Sequence, residues 1–290
     1  MNSAPATHSR TGLPDDIPWH QTVGLLLDPV QIEDLLKRLY QWVDSPCVNV
    51  LYLGTRFAAL KDVSPCLVQI EGEYDPILAQ FLENLDRHWG YLLISEGPWE
   101  QVVAHIRWLI SIEHPSGQEM LLRIASTDVA DALFESADSA LFGPCQRIMT
   151  ADLVNGGWRE YTRSGEIHKT DRDTPYRLSE KQWLSLDHAS ARKILSELSE
   201  HMARYFPEYY ADVTDHERNQ HLQALVHRAA EHNFESEKEL YLYCNALGFV
   251  GEQRLSDHAF ALDLQPHRSD AGDTWRAEGL ARLAQKWSRP

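Results

Sequence analysis

Apolar residues recur with two alternating periods from Trp19 to about Arg163. Short apolar runs that end at turn residues predict strands over Cys47–Leu53, Cys66–Ile70 and Gly90–Ile94. Spacings of three and four residues predict helices over Pro29–Trp42, Pro76–Arg87, Pro98–Trp108 and Asp128–Ala137. Pro and Gly in turn positions predict hairpins around His114–Gln118 and Asn155–Gly157. Together these elements predict a mixed sheet that is flanked by helices.

Beyond Arg177 the apolar spacing is helical only. Helices are predicted over Leu178–Tyr210, Asp215–His232, Ser236–Leu247 and Thr274–Trp287. Ser236 and Glu239 have the spacing of a capping box, and Gly248 is placed to end that helix. The predicted fold class is α+β, or mixed α/β: an N-terminal mixed sheet flanked by helices, followed by a mainly α-helical C-terminal domain.

Changes in composition predict four segments. Residues 1–18 have no apolar periodicity and are expected to be a flexible tail, followed by a mixed α/β domain over residues 19–163. Residues 164–177 are charged, contain Gly and Pro, and are expected to be a linker to a helical domain at residues 178–290. Residues 266–273, rich in Pro, Ser, Asp and Gly, predict a hinge before the last helix.

The composition is that of a globular protein with a net negative charge. The 290 residues are 43% hydrophobic and include nine Trp, which predicts a packed core. The formal net charge of -16 repels phosphate groups and anionic lipids, so no nucleic-acid or membrane partner is expected. Two interpretations of the acidity remain open: it keeps the protein soluble, or an acidic face receives a basic partner.

The chain shows the features expected of a cytoplasmic protein. Its four cysteines lie far apart in the sequence and form no C-x-x-C pair, which fits a reducing compartment. The first residues contain no apolar signal segment, and the longest apolar runs are much shorter than the roughly 20 residues of a membrane span.

The sequence points to no catalytic, cofactor or metal site. Four of its 14 histidines, His216, His221, His227 and His232, lie close together in one helical stretch. Spacings of five and six residues place neighbouring side chains roughly 140–240° apart on a helix, so we expect no shared metal. No G-x-S-x-G, P-loop or G-x-G-x-x-G motif is present. Cys145 is expected to be a buried structural cysteine, and the protein is predicted not to be an enzyme.

Between Val48 and Trp158 a set of short motifs occurs in a characteristic order. They are Trp89-Gly90 at a strand entry, His105–Leu109 at a helix end, the turn Pro115–Gly117, Leu121–Ile124 with Asp128 downstream, Leu141–Pro144, and Gly157-Trp158. In order and spacing this segment of about 110 residues resembles the domain of unknown function 4123 family, the type VI secretion adaptors or chaperones. It departs from the family pattern where Val129-Ala130 replaces a Pro-Arg pair.

The resemblance implies that the motif residues build the scaffold of the domain. The scaffold residues are Trp89, Gly90, Arg123, Asp128, Gly143, Pro144 and Trp158. Arg123 is expected to pair with Asp128 at a strand-to-helix corner, or else to contact a partner.

The resemblance also implies a function. Members of the family are adaptors or chaperones that bind the N-terminal or translocation region of an effector and promote its loading onto a VgrG or PAAR spike protein, without a cofactor. An immunity protein that neutralises a secreted toxin is the alternative, and a hydrolase is a third class. The last helix supplies the residues expected to bind a partner, Trp275, Leu280, Leu283 and Trp287, because interfaces favour aromatic anchors. Packing of this helix on its own domain is the competing interpretation.

Overall fold

The computed structural model describes residues 12–153, 155–165, 173–211, 213–255 and 273–288, without the side chain of Asp215. Contacts divide the chain into two compact units, residues 1–189 and 190–290. The division lies after the predicted linker because Leu178, Leu186 and Ala189 pack in a core cluster of the first unit. The domain bounds predicted from the sequence stay a prediction, whereas the fold class, a sheet region with helices followed by a helical region, is confirmed.

The first unit contains two sheets. The larger has six antiparallel strands in the order β2-β3-β1-β4-β7-β8. Its strands are β1 (Thr22–Leu27), β2 (Val48–Val50), β3 (Cys66–Ile70), β4 (Gly90–Ser95), β7 (Cys145–Ala151) and β8 (Trp158–Thr162). The smaller sheet contains β5 (Ser111–Glu113), β6 (Glu119–Leu121) and β9 (Tyr176–Arg177). In it, β5 pairs antiparallel with β6 and parallel with β9.

Helices cover both faces of the large sheet. They are α1 (Leu35–Trp42), α2 (Pro76–Glu83), α3 (Trp99–Leu109), α4 (Thr127–Phe134) and α5 (Ser139–Phe142), with 3₁₀ turns at Ala58–Val63 and Leu85–Arg87. Side chains of α1 and α2 share one core cluster with alternate residues of the strands, such as Leu25 and Leu92. Side chains of α3, α4 and α5 share the other cluster with the intervening residues, such as Leu26 and Leu93. The alternation follows from the two-residue repeat of a strand.

The strand β1 has no counterpart in the elements predicted from the sequence. It lies inside the sheet, and Leu25 faces Val68 of β3 on one side and Leu92 of β4 on the other. Its residues from Val23 to Leu27 are all buried. A strand buried on both faces has no polar alternation, which explains why the periodicity did not reveal it.

Two predicted elements are shorter than expected. The predicted helix Pro29–Trp42 begins only at Leu35, because Asp34 adopts a left-handed conformation with φ of 55°. Leu36, in the first turn of this shorter helix, is 42% exposed. The predicted strand Cys47–Leu53 is reduced to Val48–Val50, after which the backbone turns.

The predicted tail and linker both contain packed residues. Within the tail of residues 1–18, Leu13 and Ile17 are buried beside the large sheet, whereas residues 1–11 lie outside the described residues. Residues 166–172 of the predicted linker are also outside them, but Tyr176 is buried and pairs with Ile112. The predictions of a flexible tail and of a linker are therefore wrong for Leu13, Ile17 and Tyr176, because these apolar side chains pack in the core.

Four helices follow the sheets along the chain, and the first of them begins before residue 190, where the second unit starts. They are α6 (Glu180–Tyr205), α7 (Asp215–Glu231), α8 (Glu237–Leu255) and α9 (Thr274–Ser288), with a 3₁₀ turn at Pro207–Tyr210. The unit has its own core, which includes Leu198, Met202, Leu222, Leu225, Leu247 and Leu280. No helix in the described part of the chain is long and apolar enough to cross a membrane.

The start of α8 was predicted correctly and its end was not. The capping box is present: Ser236 N donates to Glu239 Oε2 over 3.0 Å and Glu239 N donates to Ser236 Oγ over 3.4 Å. The helix does not end at Gly248 but continues to Leu255, with a break at Gly251. A Cβ at position 248 would lie 2.4 Å from the Phe206 ring, so this glycine makes room for a neighbour. The predicted hinge, apart from Asp273, lies outside the described residues.

Candidate functional site

A groove of about 680 Å³ lies on the helical unit, within residues 201–285. Three segments line it: the end of α6 and the residue that follows, the middle of α8, and one side of α9. Its volume is within the range of about 300–1,000 Å³ that is common for ligand-binding clefts. It is the candidate site, and we call it the helical-unit groove.

One wall of the groove is aromatic. Phe206 meets Phe249 edge-on with ring centroids 5.0 Å apart, and Tyr205 lies 4.8 Å from His201. The Nε2 of His201 is 2.7 Å from Oδ1 of Asn245, and this hydrogen bond holds the imidazole beside α8. Phe206 and Phe249 are partly exposed, and Tyr205 is 61% exposed. Aromatic surface is therefore presented to whatever enters the groove.

The α9 side of the groove carries polar and charged side chains beside Ala281. They are Glu278, Arg282 and Gln285, whose spacing places them on one side of the helix. Lys238 Nζ lies 2.6 Å from Glu278 Oε1 and holds the pKa of Glu278 below its ordinary value. Arg282 Nε donates to the backbone oxygen of Glu278 over 3.2 Å. Among the described residues Arg282 is exposed and has no carboxylate partner at ion-pair distance, so its charge is accessible at the wall.

The four residues predicted to bind a partner do not form one surface. Leu280 is fully buried in the core and Leu283 packs against it. Trp275 is 44% exposed and Trp287 is 53% exposed. Because twelve residues correspond to about 120° around a helix, the two indoles face different directions. A role of these four side chains in binding stays a prediction.

The predicted scaffold residues lie among packed elements of the first unit. Trp89 is buried and stacks on Trp42 with centroids 5.8 Å apart. A Cβ at Gly90 would lie 1.8 Å from the backbone oxygen of Leu26, so only glycine allows β4 to approach β1 here. The oxygens of the Gly143-Pro144 turn accept hydrogen bonds from Arg163 and Ser95. The indole N–H of Trp158 donates to Gly12 O over 2.9 Å.

The expected pairing of Arg123 with Asp128 is wrong. Arg123 instead binds Asp28, with Nε 3.0 Å and Nη2 2.8 Å from Oδ2. Asp28 is only 1% exposed, and its other carboxylate oxygen accepts from Val30 N over 3.0 Å. The partner thus comes from the turn after β1, the strand that the periodicity did not reveal. Asp128 lies in the first turn of α4.

The clustered histidines have separate environments. His221 is held between the hydroxyl of Tyr210, 2.6 Å from Nδ1, and the carboxylate of Glu252, which Arg228 also binds. His216 and His227 contact residues of their own helix, Gln220 and Glu231. The ring of His232 lies beside Phe234 and Tyr243 instead. The described residues contain no group of three or more His, Cys, Asp or Glu side chains in a metal-binding arrangement.

The buried thiols are poor nucleophiles. Burial raises the pKa of Cys66, Cys145 and Cys244 to about 12 in each case, so all three are protonated at neutral pH. The pKa of Cys47, the exposed cysteine, is also raised, by partial burial and by Glu71 and Glu100. None of the four is therefore poised as a thiolate.

Part of the first unit is similar to a known family. Residues 25–140 match the model of DUF4123, a domain of unknown function. This segment is similar to the DUF4123 family. The matched segment, which we call the DUF4123 domain, extends from β1 to the start of α5 and includes Trp89, Gly90, Arg123 and Asp128 of the predicted scaffold.

A relative is similar over nearly the whole chain. The accessory protein VasW of Vibrio cholerae serotype O1 (strain ATCC 39315 / El Tor Inaba N16961) is 29% identical over 282 residues, 94% of this chain and 91% of VasW. No solved structure matches the chain. Since the unmatched share is much smaller than the helical unit, the similarity extends beyond the DUF4123 domain into the unit that carries the groove.

Proposed function

We propose that this protein is a non-catalytic adaptor or chaperone of a type VI secretion system. It binds an effector in the cytoplasm of the producing cell and promotes loading of that effector onto the VgrG or PAAR spike. The observation that carries the proposal is the presence of a DUF4123 domain in a chain that is similar to an accessory protein over 94% of its length.

The geometry supports a binding role. The DUF4123 domain is a sheet with both faces covered by helices, which is suited to a rigid scaffold. The helical unit adds an open groove with partly exposed aromatic side chains, the residue type that protein interfaces favour. The cysteine thiols are protonated at neutral pH, which argues against thiol catalysis. The proposed adaptor needs no cofactor and, with its net charge of -16, no nucleic acid.

Affinity purification tests this function. The full chain, tagged and expressed in cells with active type VI secretion, is expected to co-elute with an effector and to contact its N-terminal or translocation region. Deleting the gene is expected to abolish secretion of that effector, and the wild-type gene restores it. Secretion of other effectors by the same cells serves as the control.

Two results would contradict the proposal. In one, the effector is secreted normally without the protein. In the other, the protein covers the toxic domain and blocks its activity, which is the behaviour of an immunity protein. An adaptor holds the translocation region and leaves the toxic activity intact.

A further inference from the structure

We infer that the helical-unit groove is where the effector docks, and that its occupant is an amphipathic helix with apolar residues on one side and a carboxylate beside them. The inference rests on the proposed adaptor function and adds the place and the chemistry of recognition. The apolar residues lie against Phe206, Phe249 and Tyr205, and the carboxylate pairs with Arg282.

The walls of the groove favour a helix over an extended strand. An extended peptide is held mainly by backbone bonds to an exposed sheet edge. Here the walls are α6, α8 and α9, whose backbone groups bond within their own helices, so recognition depends on side chains. A helix in a groove presents anchors three, four and seven residues apart to such walls. About 680 Å³ holds a few anchor side chains and not a folded domain.

The charged side chains of the groove indicate the chemistry of the occupant. The charge of Glu278 is already offset by Lys238, 2.6 Å away. The guanidinium of Arg282, in contrast, meets only a backbone oxygen among the hydrogen-bond partners described. Glu278 is close enough to Arg282 to interact with its charge, but it is bonded to Lys238. Covering Arg282 with an apolar segment alone would remove water from a cation that has no carboxylate at ion-pair distance among the described residues, which is costly. A carboxylate on the occupant supplies the planar, two-oxygen partner that arginine prefers.

The negative net charge of the chain does not prevent a carboxylate of the occupant from pairing with Arg282 at short range. Physiological salt screens charges over about 8 Å, so the pair at the groove wall is governed by its immediate neighbours. Gln285 on α9 is exposed beside Arg282, and its amide faces the polar side of the docked effector helix. The groove thus matches an amphipathic helix on both of its sides.

The test compares groove variants with variants elsewhere on α9, all in the full chain. Tyr205→Ala and Arg282→Glu change the groove, while Trp275→Ala and Trp287→Ala remove exposed indoles that do not line it. All four residues are exposed, so melting temperatures are expected to stay close to that of the wild type. The probe is the N-terminal region of the effector that co-purifies with the wild-type protein, titrated by calorimetry.

Each groove variant is expected to raise Kd about tenfold or more, and each tryptophan variant to change it less than about threefold. In the effector, replacing the acidic residue of the docked helix by Lys is expected to weaken binding to the wild type and to restore binding to Arg282→Glu. A photo-crosslinker at position 285 is expected to capture this helix, whereas one at position 287 is not.

Unchanged affinity in both groove variants, with the wild type still binding the effector, would overturn the groove assignment and leave the adaptor function standing. Tighter binding by Arg282→Glu would overturn the acidic occupant, because it would indicate a basic segment. Loss of affinity in the tryptophan variants alone would place the effector on the predicted residues Trp275 and Trp287 instead. If no effector binds the wild type, the adaptor function itself fails.

Discussion

At Gly90 the backbone of β4 passes so close to β1 that no side chain fits between them. A Cβ at this position would lie 1.8 Å from the oxygen of Leu26 and 3.1 Å from the Cα of Leu27. Both obstacles are backbone atoms of a buried strand, and they have no rotamer by which to move aside. The sequence showed only that a glycine begins a strand. The reason for this glycine lies in β1, a strand that the periodicity did not reveal.

We therefore predict that Gly90→Ala destabilises the first unit severely. The free energy of unfolding is expected to fall by more than about 2 kcal/mol, because β1 and β4 must separate locally. Gly72→Ala is the matched control, since a Cβ there meets nothing within 4 Å and the backbone is not left-handed. Denaturant titration of both variants checks the prediction, and equal stabilities would show that β4 can shift to accommodate a methyl group.

The ion pair between Arg123 and Asp28 gives a second prediction. Asp28→Ala is expected to lower the free energy of unfolding by about 2 kcal/mol, because it removes charged acceptors for Arg123 and Val30 N. Asp128→Ala, at the partner expected from the sequence, is expected to cost less than about 1 kcal/mol, the range of a carboxylate in a first helical turn. Chemical denaturation measures both variants. If Asp128→Ala is more destabilising than Asp28→Ala, Arg123 pairs with Asp128 and the prediction is wrong.

At the scale of elements, local signals were reliable where a turn or a cap determines the structure. The hairpin of β7 and β8 forms around Asn155–Gly157, and the capping box at Ser236 and Glu239 is present. The sequence was less informative where tertiary contacts decide. Gly248 resembled a helix end but lies inside α8, where the absence of a side chain leaves room for the ring of Phe206.

Glu239 makes the capping box sensitive to pH. Burial alone raises the pKa of its carboxyl, but bonds from Thr274 Oγ1 and from the N–H groups of Ser236 and Glu235 lower the pKa below its ordinary value. A lowered pKa in the folded state means that the carboxylate stabilises the helical unit above the ordinary pKa of about 4.3. That contribution is lost as the pH falls through the lowered pKa.

We predict that Glu239→Gln costs about 1 kcal/mol at neutral pH, as the loss of a cap does. The difference from the wild type is expected to shrink as the pH falls below about 4, because the wild-type carboxyl then becomes neutral too. Melting temperatures of both proteins between neutral and acidic pH measure this. Glu237→Gln, exposed in the same first turn, is the control, and a difference that is independent of pH would contradict the prediction.

At the scale of the whole molecule, the change from alternating to helical periodicity predicted the order of the two folds. It did not predict the groove, whose walls come from residues 201–206, 242–249 and 278–285. These segments share no motif, and each alone resembles an ordinary amphipathic helix. The exposed Tyr205 beside Phe206, at the end of a long helix, is the signal that was available in the sequence.

Because the two units have separate cores, we predict that a core substitution in one unit destabilises that unit and leaves the other folded. Leu222 is fully buried in the core of the helical unit, and Leu25 of β1 is fully buried in the cluster between the large sheet and the helices α1 and α2. Truncating either residue to alanine removes similar apolar volume and is expected to cost about 2–5 kcal/mol. Hydrogen exchange read by mass spectrometry separates the effects. For Leu222→Ala we expect faster exchange in α7, α8 and α9 while β1, β3 and β4 keep wild-type protection, and for Leu25→Ala the reverse. If both variants exchange faster throughout the described residues, the two units unfold together, and the division after Ala189 has no energetic counterpart.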